Sequence, residues 1–236
     1  MLDSARYEER VETGIHGEAG GRPLDETSGR VARWILHVAS ASDSGVTLEA
    51  SLDSLSIWRR SGAAIRSPDT DGIIGGRYRG TLSANGRYVP ATHPFIPDEI
   101  AEFADLRNAA GALLPRLPSE PLAAGAVWRD DSTGTTIERL GDSTAAGVRL
   151  ARYRLERHAT VSRAPLAGGA DTLALRVRQT TDESGELAWD DARGVVGWTR
   201  TVTVLTEIPP GGSVRVPVRS RVVQRVTLTR LDESSR

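Results

Sequence analysis

The chain contains no cysteine and no lysine; all 30 of its basic residues are arginine. The first absence removes thiolate nucleophiles, thiolate zinc sites and disulfides together. The second removes Schiff-base chemistry and the P-loop lysine, since each needs a primary amine. An arginine-only inventory fits a GC-rich coding bias better than selection for phosphate contacts. Methionine occurs once and phenylalanine twice. No apolar run approaches the ~18 residues that cross a bilayer as a helix, so no transmembrane segment is expected. The opening MLDSARYEERVETG has no apolar core of a signal peptide. A cytoplasmic chain reads this way, and so does an exported one whose leader has been removed.

What is present suits one β domain. The 236 residues are 39% hydrophobic and 26% charged, enough to bury a real core. The net charge of −1 is unevenly spread: residues 1–148 hold 15 Arg against 21 acids, and 149–236 hold 15 Arg against 10. Two readings follow: a second half that binds anions, or strands of the two halves that pair across one sheet. The second is the simpler.

Period-2 alternation dominates. In 214–229, Val214, Val216, Val218, Val222, Val226 and Leu228 share one side, while Arg215, Arg219, Arg221 and Arg225 share the other. Pro217 cannot donate to a ladder, which predicts an edge or a bulge for the early part of this strand. Further strands are expected at 4–12, 30–41, 45–58, 74–83, 87–91, 151–161, 172–181 and 195–208. Turns are expected at SDSG (42–45), ANG (84–86), DESG (182–185) and DDARG (190–194). Residues 97–114 break the rhythm. Ile100, Phe103, Ala104, Ala110, Leu113 and Leu114 fall at helical spacing, and Pro97, Asp98 and Glu99 suit a first turn. One helix is expected there, with its apolar stripe on the sheet. Strand patterns before it (30–91) and after it (148–206) echo one another, as duplication or plain antiparallel patterning would produce.

Few motifs carry chemistry. DTDGIIGG (69–76) offers Asp69 and Asp71 with no closing acid, which reads as a turn rather than a calcium loop. GDST (141–144) resembles the nucleophile block of GDSL-type hydrolases. No histidine carries the Asp three residues before it that this family requires, so Ser143 reads as a hairpin-turn residue. The four histidines stand singly, and no metal or cofactor is called for. Nucleic-acid binding is not expected, because net charge is near zero and aromatics do not interleave the arginine stripe. A carboxylate pair acting as a hydrolase remains open, since acids distant in sequence can meet.

Tryptophan dominates the aromatics, with five against two Phe and four Tyr. Trp34 shares its strand side with Leu36, and Trp198 shares its side with Val196 and Val202. Core filling explains such residues. So does an apolar pocket, whose lining would be Trp34, Leu36, Trp58, Trp128, Tyr153, Trp198 and Phe103.

Two blocks carry a resemblance. LLPRLPSEPLAAGAVW (113–128) has a Leu-Pro pair, a polar spacer, then Gly, a small residue and Trp. GELAWDDARGVVGWTRTVTV (185–204) has acids before a turn glycine. Both are similar to blocks of a bacterial family of exported proteins and lipoproteins of unknown function, over roughly residues 30–230. Gly125-Ala126 stands where that family has Gly-Asp. The resemblance implies a lipoprotein-carrier-like half-open barrel with helix packed in its mouth, located outside the cytoplasm, with no catalytic residues to transfer.

The resulting expectation is a mainly β protein, a curved antiparallel sheet with one helix on its concave face. Its function is expected to be non-catalytic, binding a lipid or another apolar small molecule. The alternative is a module that binds an envelope protein partner.

Overall fold

The computed structural model describes residues 4–19, 21–42, 45–83, 87–145, 147–163, 177–210 and 216–231. Twelve strands form one antiparallel sheet that is not closed into a barrel. The first half contributes β1 (Ser4–Ala19), β2 (Arg22–Ser42), β3 (Gly45–Ser61), β4 (Ala64–Arg66), β5 (Arg77–Leu82) and β6 (Tyr88–Thr92). The second contributes β7 (Val127–Asp130), β8 (Thr135–Ala145), β9 (Val148–Arg163), β10 (Val177–Asp190), β11 (Gly194–Ile208) and β12 (Val218–Leu231).

The spatial order is β6-β5-β3-β2-β1-β12-β11-β10-β9-β8-β7, with β4 paired to β3. The chain therefore starts in the middle, meanders outward to the β6 edge, crosses over, and meanders back from β7 to the middle. Both edges are short, at five and four residues, and β6 carries Pro90. Short edges and proline limit pairing with other chains.

At the central seam, Glu12 lies opposite Arg225, His16 opposite Arg221 and Glu18 opposite Arg219. The acidic excess of the first half thus meets the basic excess of the second, strand against strand. An opposite-charge cross-strand neighbour, as at Glu12/Arg225 and Glu18/Arg219, contributes about 0.2–1 kcal/mol, while His16 finds its acid in Asp25 of β2. Pro217 precedes β12, which is paired on both sides from Arg219 onward, so the expected edge position is corrected. The proline ends the ladder instead of lying in it.

The crossing segment, residues 93–126, carries two short helices, α1 (Asp98–Ala101) and α2 (Ala109–Ala112), where a single helix was expected. Between them the Asp105 carboxylate accepts the backbone N–H of Arg107, a side-chain turn that competes with helix. The stripe still lands where the spacing placed it. Ile100, Leu106, Ala109, Ala110 and Leu113 are buried against Trp34, Leu52, Tyr78, Ile137, Leu187 and Leu228 of the sheet. We call the side that carries this connector the inner face.

Three local expectations change. DESG lies inside β10, not in a turn: Glu183 and Gly185 are paired on both sides, to Arg157 and Leu155 of β9 and to Val202 and Arg200 of β11. A Cβ on Gly185 would come within 2.5 Å of the Thr199 carbonyl, so here glycine marks a close backbone approach. Ser143 sits in β8 opposite Leu150, and the polar run 141–144 continues the ladder past a bulge at Arg139/Gly141. β7 and β8 themselves fall in a stretch where alternation gave no strand. The expected turn at 84–86, Asp43 and Ser44 of the first turn, residues 172–176 of one strand, and Val214 and Arg215 lie outside the described residues.

Candidate functional site: the inner face of the sheet

Strand register decides which side chains share the inner face. Alternation along β1 puts Tyr7, Glu9 and Val11 there. Their partners are Trp34, Ala32 and Arg30 on β2, and Arg230, Leu228 and Val226 on β12. Continuing outward, Leu228 lies opposite Trp198, Trp198 opposite Leu187, and Leu187 opposite Tyr153. These rows form the floor under the connector, and most of their members are buried.

Six of the seven sequence-selected residues fall on this side. Trp34 is 0% exposed and meets Tyr78 edge-on, with centroids 5.4 Å apart at 64°. Leu36 and Trp128 are half-buried against the same cluster, and Tyr153 and Trp198 belong to it. Phe103 comes from the connector, with the guanidinium groups of Arg59 and Arg66 lying 5.2 and 5.8 Å from its ring. Trp58 does not join them. It pairs with Gly29, whose own partner Glu12 is on the outer face, and its indole lies over that glycine. The irregularity at Arg33/Trp34 leaves Asp53 of β3 without a partner and shifts the parity of that strand beyond it, so Ile57 faces inward and Trp58 outward.

Charged groups also occupy the inner face, and these the sequence reading missed. Glu9 is 1% exposed. It accepts hydrogen bonds from Arg30 Nη2 at 2.8 Å, Arg30 Nε at 3.3 Å and Trp34 Nε1 at 3.3 Å. Next to it burial pushes the Tyr78 phenol up to about 12, with the Arg30 charge opposing. Farther along, Glu183 lies 3.5 Å from Arg200 and 3.9 Å from Arg157. The Arg200 guanidinium lies 5.0 Å from the Trp198 ring. The signal was visible: Glu9, Arg157 and Arg200 each interrupt an apolar set at an inward position.

The connector is fixed at few polar points. Arg59 Nη2 donates to the Glu102 carbonyl at 2.5 Å, and Arg139 Nη1 donates to the Leu122 carbonyl at 2.7 Å. Near its end, Arg116 Nη1 donates to Asp130 Oδ2 and Ser132 Oγ, each at 2.5 Å. Burial raises the Asp130 carboxyl, but hydrogen bonds from Thr133 and Ser132, with the Arg116 charge, outweigh it and leave the group below the ordinary carboxylate range. A folded value below the unfolded one stabilises the fold above the ordinary carboxylate pKa of about 3.9. That contribution is lost as pH falls through the folded value. Urea unfolding at pH 5 and pH 2.5 is expected to show a smaller drop in Asp130→Asn than in the parent; an unchanged drop would dismiss the clamp.

Two depressions on the outer face, one around Arg154, Glu186 and Arg225 and one around His158 and Asp182, are open and polar. Among the described residues, no group of three or more His, Asp or Glu side chains is placed to hold a metal ion. DTDG forms a 3-10 turn in which Asp69 accepts the Asp71 N–H at 3.0 Å. No helix among the described residues is long and apolar enough to cross a membrane.

No protein-family model matches the chain, and no curated protein sequence does. The fold does have a counterpart. A structure of lipovitellin, determined for its lipid–protein interactions, aligns with a TM-score of 0.50 at 9% identity, over 98% of this chain and 25% of that one. A DUF1329 family protein from Desulfovibrio piger aligns over 100% of this chain and 89% of its own, at 13% identity and a TM-score of 0.18. The chain thus spans about a quarter of the lipovitellin chain, and the likeness is one of fold. The expected mainly β, curved antiparallel sheet is present, and it is not closed into a barrel.

Proposed function

We propose that the protein is a non-catalytic carrier or receptor for an apolar, lipid-like molecule held on the inner face of its sheet. The connector 93–126 acts as the plug. One observation carries this reading. Ile100, Leu106, Ala109, Ala110 and Leu113 meet the sheet by apolar contact, with one polar tie among them at the Glu102 carbonyl; the other ties hold Arg116 and Leu122, beyond this stretch. Apolar contact is non-directional, so an acyl chain can replace those side chains at little cost. Beyond the plug, Val202, Val204, Val222 and Ile15 continue the inner face and are only half-buried.

The lipid bound by the lipovitellin of similar fold agrees with this reading in kind. Carriage of a lipid-like cargo fits a location outside the cytoplasm, and that location is part of the proposal. The test is direct. Titration with a twelve-carbon acyl ligand below its micelle-forming concentration is expected to shift tryptophan emission and raise the melting temperature, since a ligand that prefers the folded state stabilises it. If acyl ligands at saturation leave both unchanged, the reading fails.

A further inference from the structure

The inner face carries an unbalanced pair of arginines at the border of the plugged region. Register places Arg200 beside the last apolar row, next to Val226, Gly185 and Leu155, and places Arg157 and Glu183 in the following row. Two guanidinium groups therefore share one carboxylate, leaving one positive charge without a matching acid. The pairing is loose as well. Separations of 3.5 and 3.9 Å exceed the ~2.7–2.9 Å of a strong charge-assisted hydrogen bond. These side chains are 22%, 35% and 18% exposed for Arg200, Arg157 and Glu183, so the charges are partly withdrawn from water.

Unsatisfied donors gather at the same spot. The Nε atoms of Arg157 and Arg200 and the indole Nε1 of Trp198 are buried and have no hydrogen-bond acceptor among the described residues. Trp198 is 7% exposed, and its Nε1 borders Gly185, where an added Cβ would lie 3.4 Å from it. Buried donors without acceptors are costly, and groups of them in one place mark a position where an acceptor belongs. The half-buried valines Val202, Val204 and Val222 adjoin on the side away from the plug.

We propose that Arg157 and Arg200 form a headgroup site for a singly charged anionic amphiphile with one acyl chain, such as a fatty-acid carboxylate. This rests on the lipid-binding reading above and specifies the ligand it takes. The carboxylate enters beside Glu183 and brings two acids to two guanidinium groups, so the border of the inner face becomes neutral. The chain lies along Val202, Val204 and Val222. Nothing in the proposal needs a covalent step.

The experiment compares dodecanoate, dodecanol and acetate by calorimetric titration of the full chain at pH 8, below micelle-forming concentrations. Dodecanoate is expected to bind about tenfold or more tightly than dodecanol, as a partly desolvated charge pair requires, and acetate weakly. Arg157→Gln with Arg200→Gln is expected to bring dodecanoate down to the affinity of dodecanol, with dodecanol unchanged. Glu183→Gln, which removes the resident competitor, is expected to tighten dodecanoate and leave dodecanol alone. Unchanged dodecanol binding in each variant verifies that the fold is intact. Equal affinity for dodecanoate and dodecanol in the parent would overturn the headgroup site while leaving an apolar site standing. Failure of both to bind would overturn the lipid reading itself and the site with it. Acetate binding as tightly as dodecanoate would show an anion site that takes no chain, which also overturns the proposal.

Discussion

Trp34→Ala is expected to cost about 3–5 kcal/mol of unfolding free energy, the range for removing a fully buried aromatic side chain. The magnitude follows from its surroundings. The indole is wholly buried, meets Tyr78 edge-on, and its Nε1 supplies one of the hydrogen bonds that keep the buried Glu9 carboxylate satisfied. Losing the ring opens a cavity and removes a donor at once. Trp34→Phe separates the two effects, because it keeps most of the volume but no N–H; about 1–3 kcal/mol is expected from the unsatisfied carboxylate. Urea titrations with unchanged slope measure both. A loss below about 1 kcal/mol for Trp34→Ala would mean that this row is not a packed floor.

Leu106→Ala tests the plug, and its two readouts move in opposite directions. Leu106 is fully buried at the centre of the connector, so truncation is expected to cost about 2–5 kcal/mol of stability. Acyl-ligand affinity is expected to rise, because a closed plug excludes the ligand and its loss enlarges the competent fraction. Each 1.4 kcal/mol taken from the closed state alone tightens binding by about tenfold. Leu150→Ala is the control. It removes a buried leucine of β9 that lies outside the cluster packed against the connector, so stability falls while the plug keeps its contacts. Leu106→Ala and Leu150→Ala changing affinity alike would remove the connector from any gating role.

Much of the architecture was legible because alternation is a local signal. The arginine and valine sides of 218–229, the inward Tyr153 and Leu155, and the apolar stripe of 97–114 all follow from spacing alone. What failed did so for stated physical reasons. The DESG stretch has turn residues, yet Gly185 is there because the Thr199 carbonyl approaches too closely for a side chain. In sequence Trp58 groups with the other tryptophans as lining, but an extra residue in β3, Asp53, turns it outward, and only the paired strand reveals that residue. The single helix became two because the Asp105 side chain offers the backbone a competing bond. Of the candidate site, the aromatic floor could be nominated from parity. The charged pair shows in the sequence only as two arginines that interrupt apolar sets; their shared partner Glu183 emerges when β9, β10 and β11 are laid side by side.

The seam between β1 and β12 bears on how the molecule is made. It joins residues as distant as Arg6 and Leu231, 225 positions apart, while nearly all other strand pairs are neighbours along the chain. During translation each meander can assemble from local hairpins, but the inner flank of β1 keeps an open ladder until β12 leaves the ribosome. Joining the halves is therefore expected to be the slow, late event in folding, which stopped-flow refolding would show as a phase slowed by Val226→Ala. When the seam closes, Glu12 and Glu18 of the waiting strand come to lie opposite Arg225 and Arg219 of the last strand to arrive.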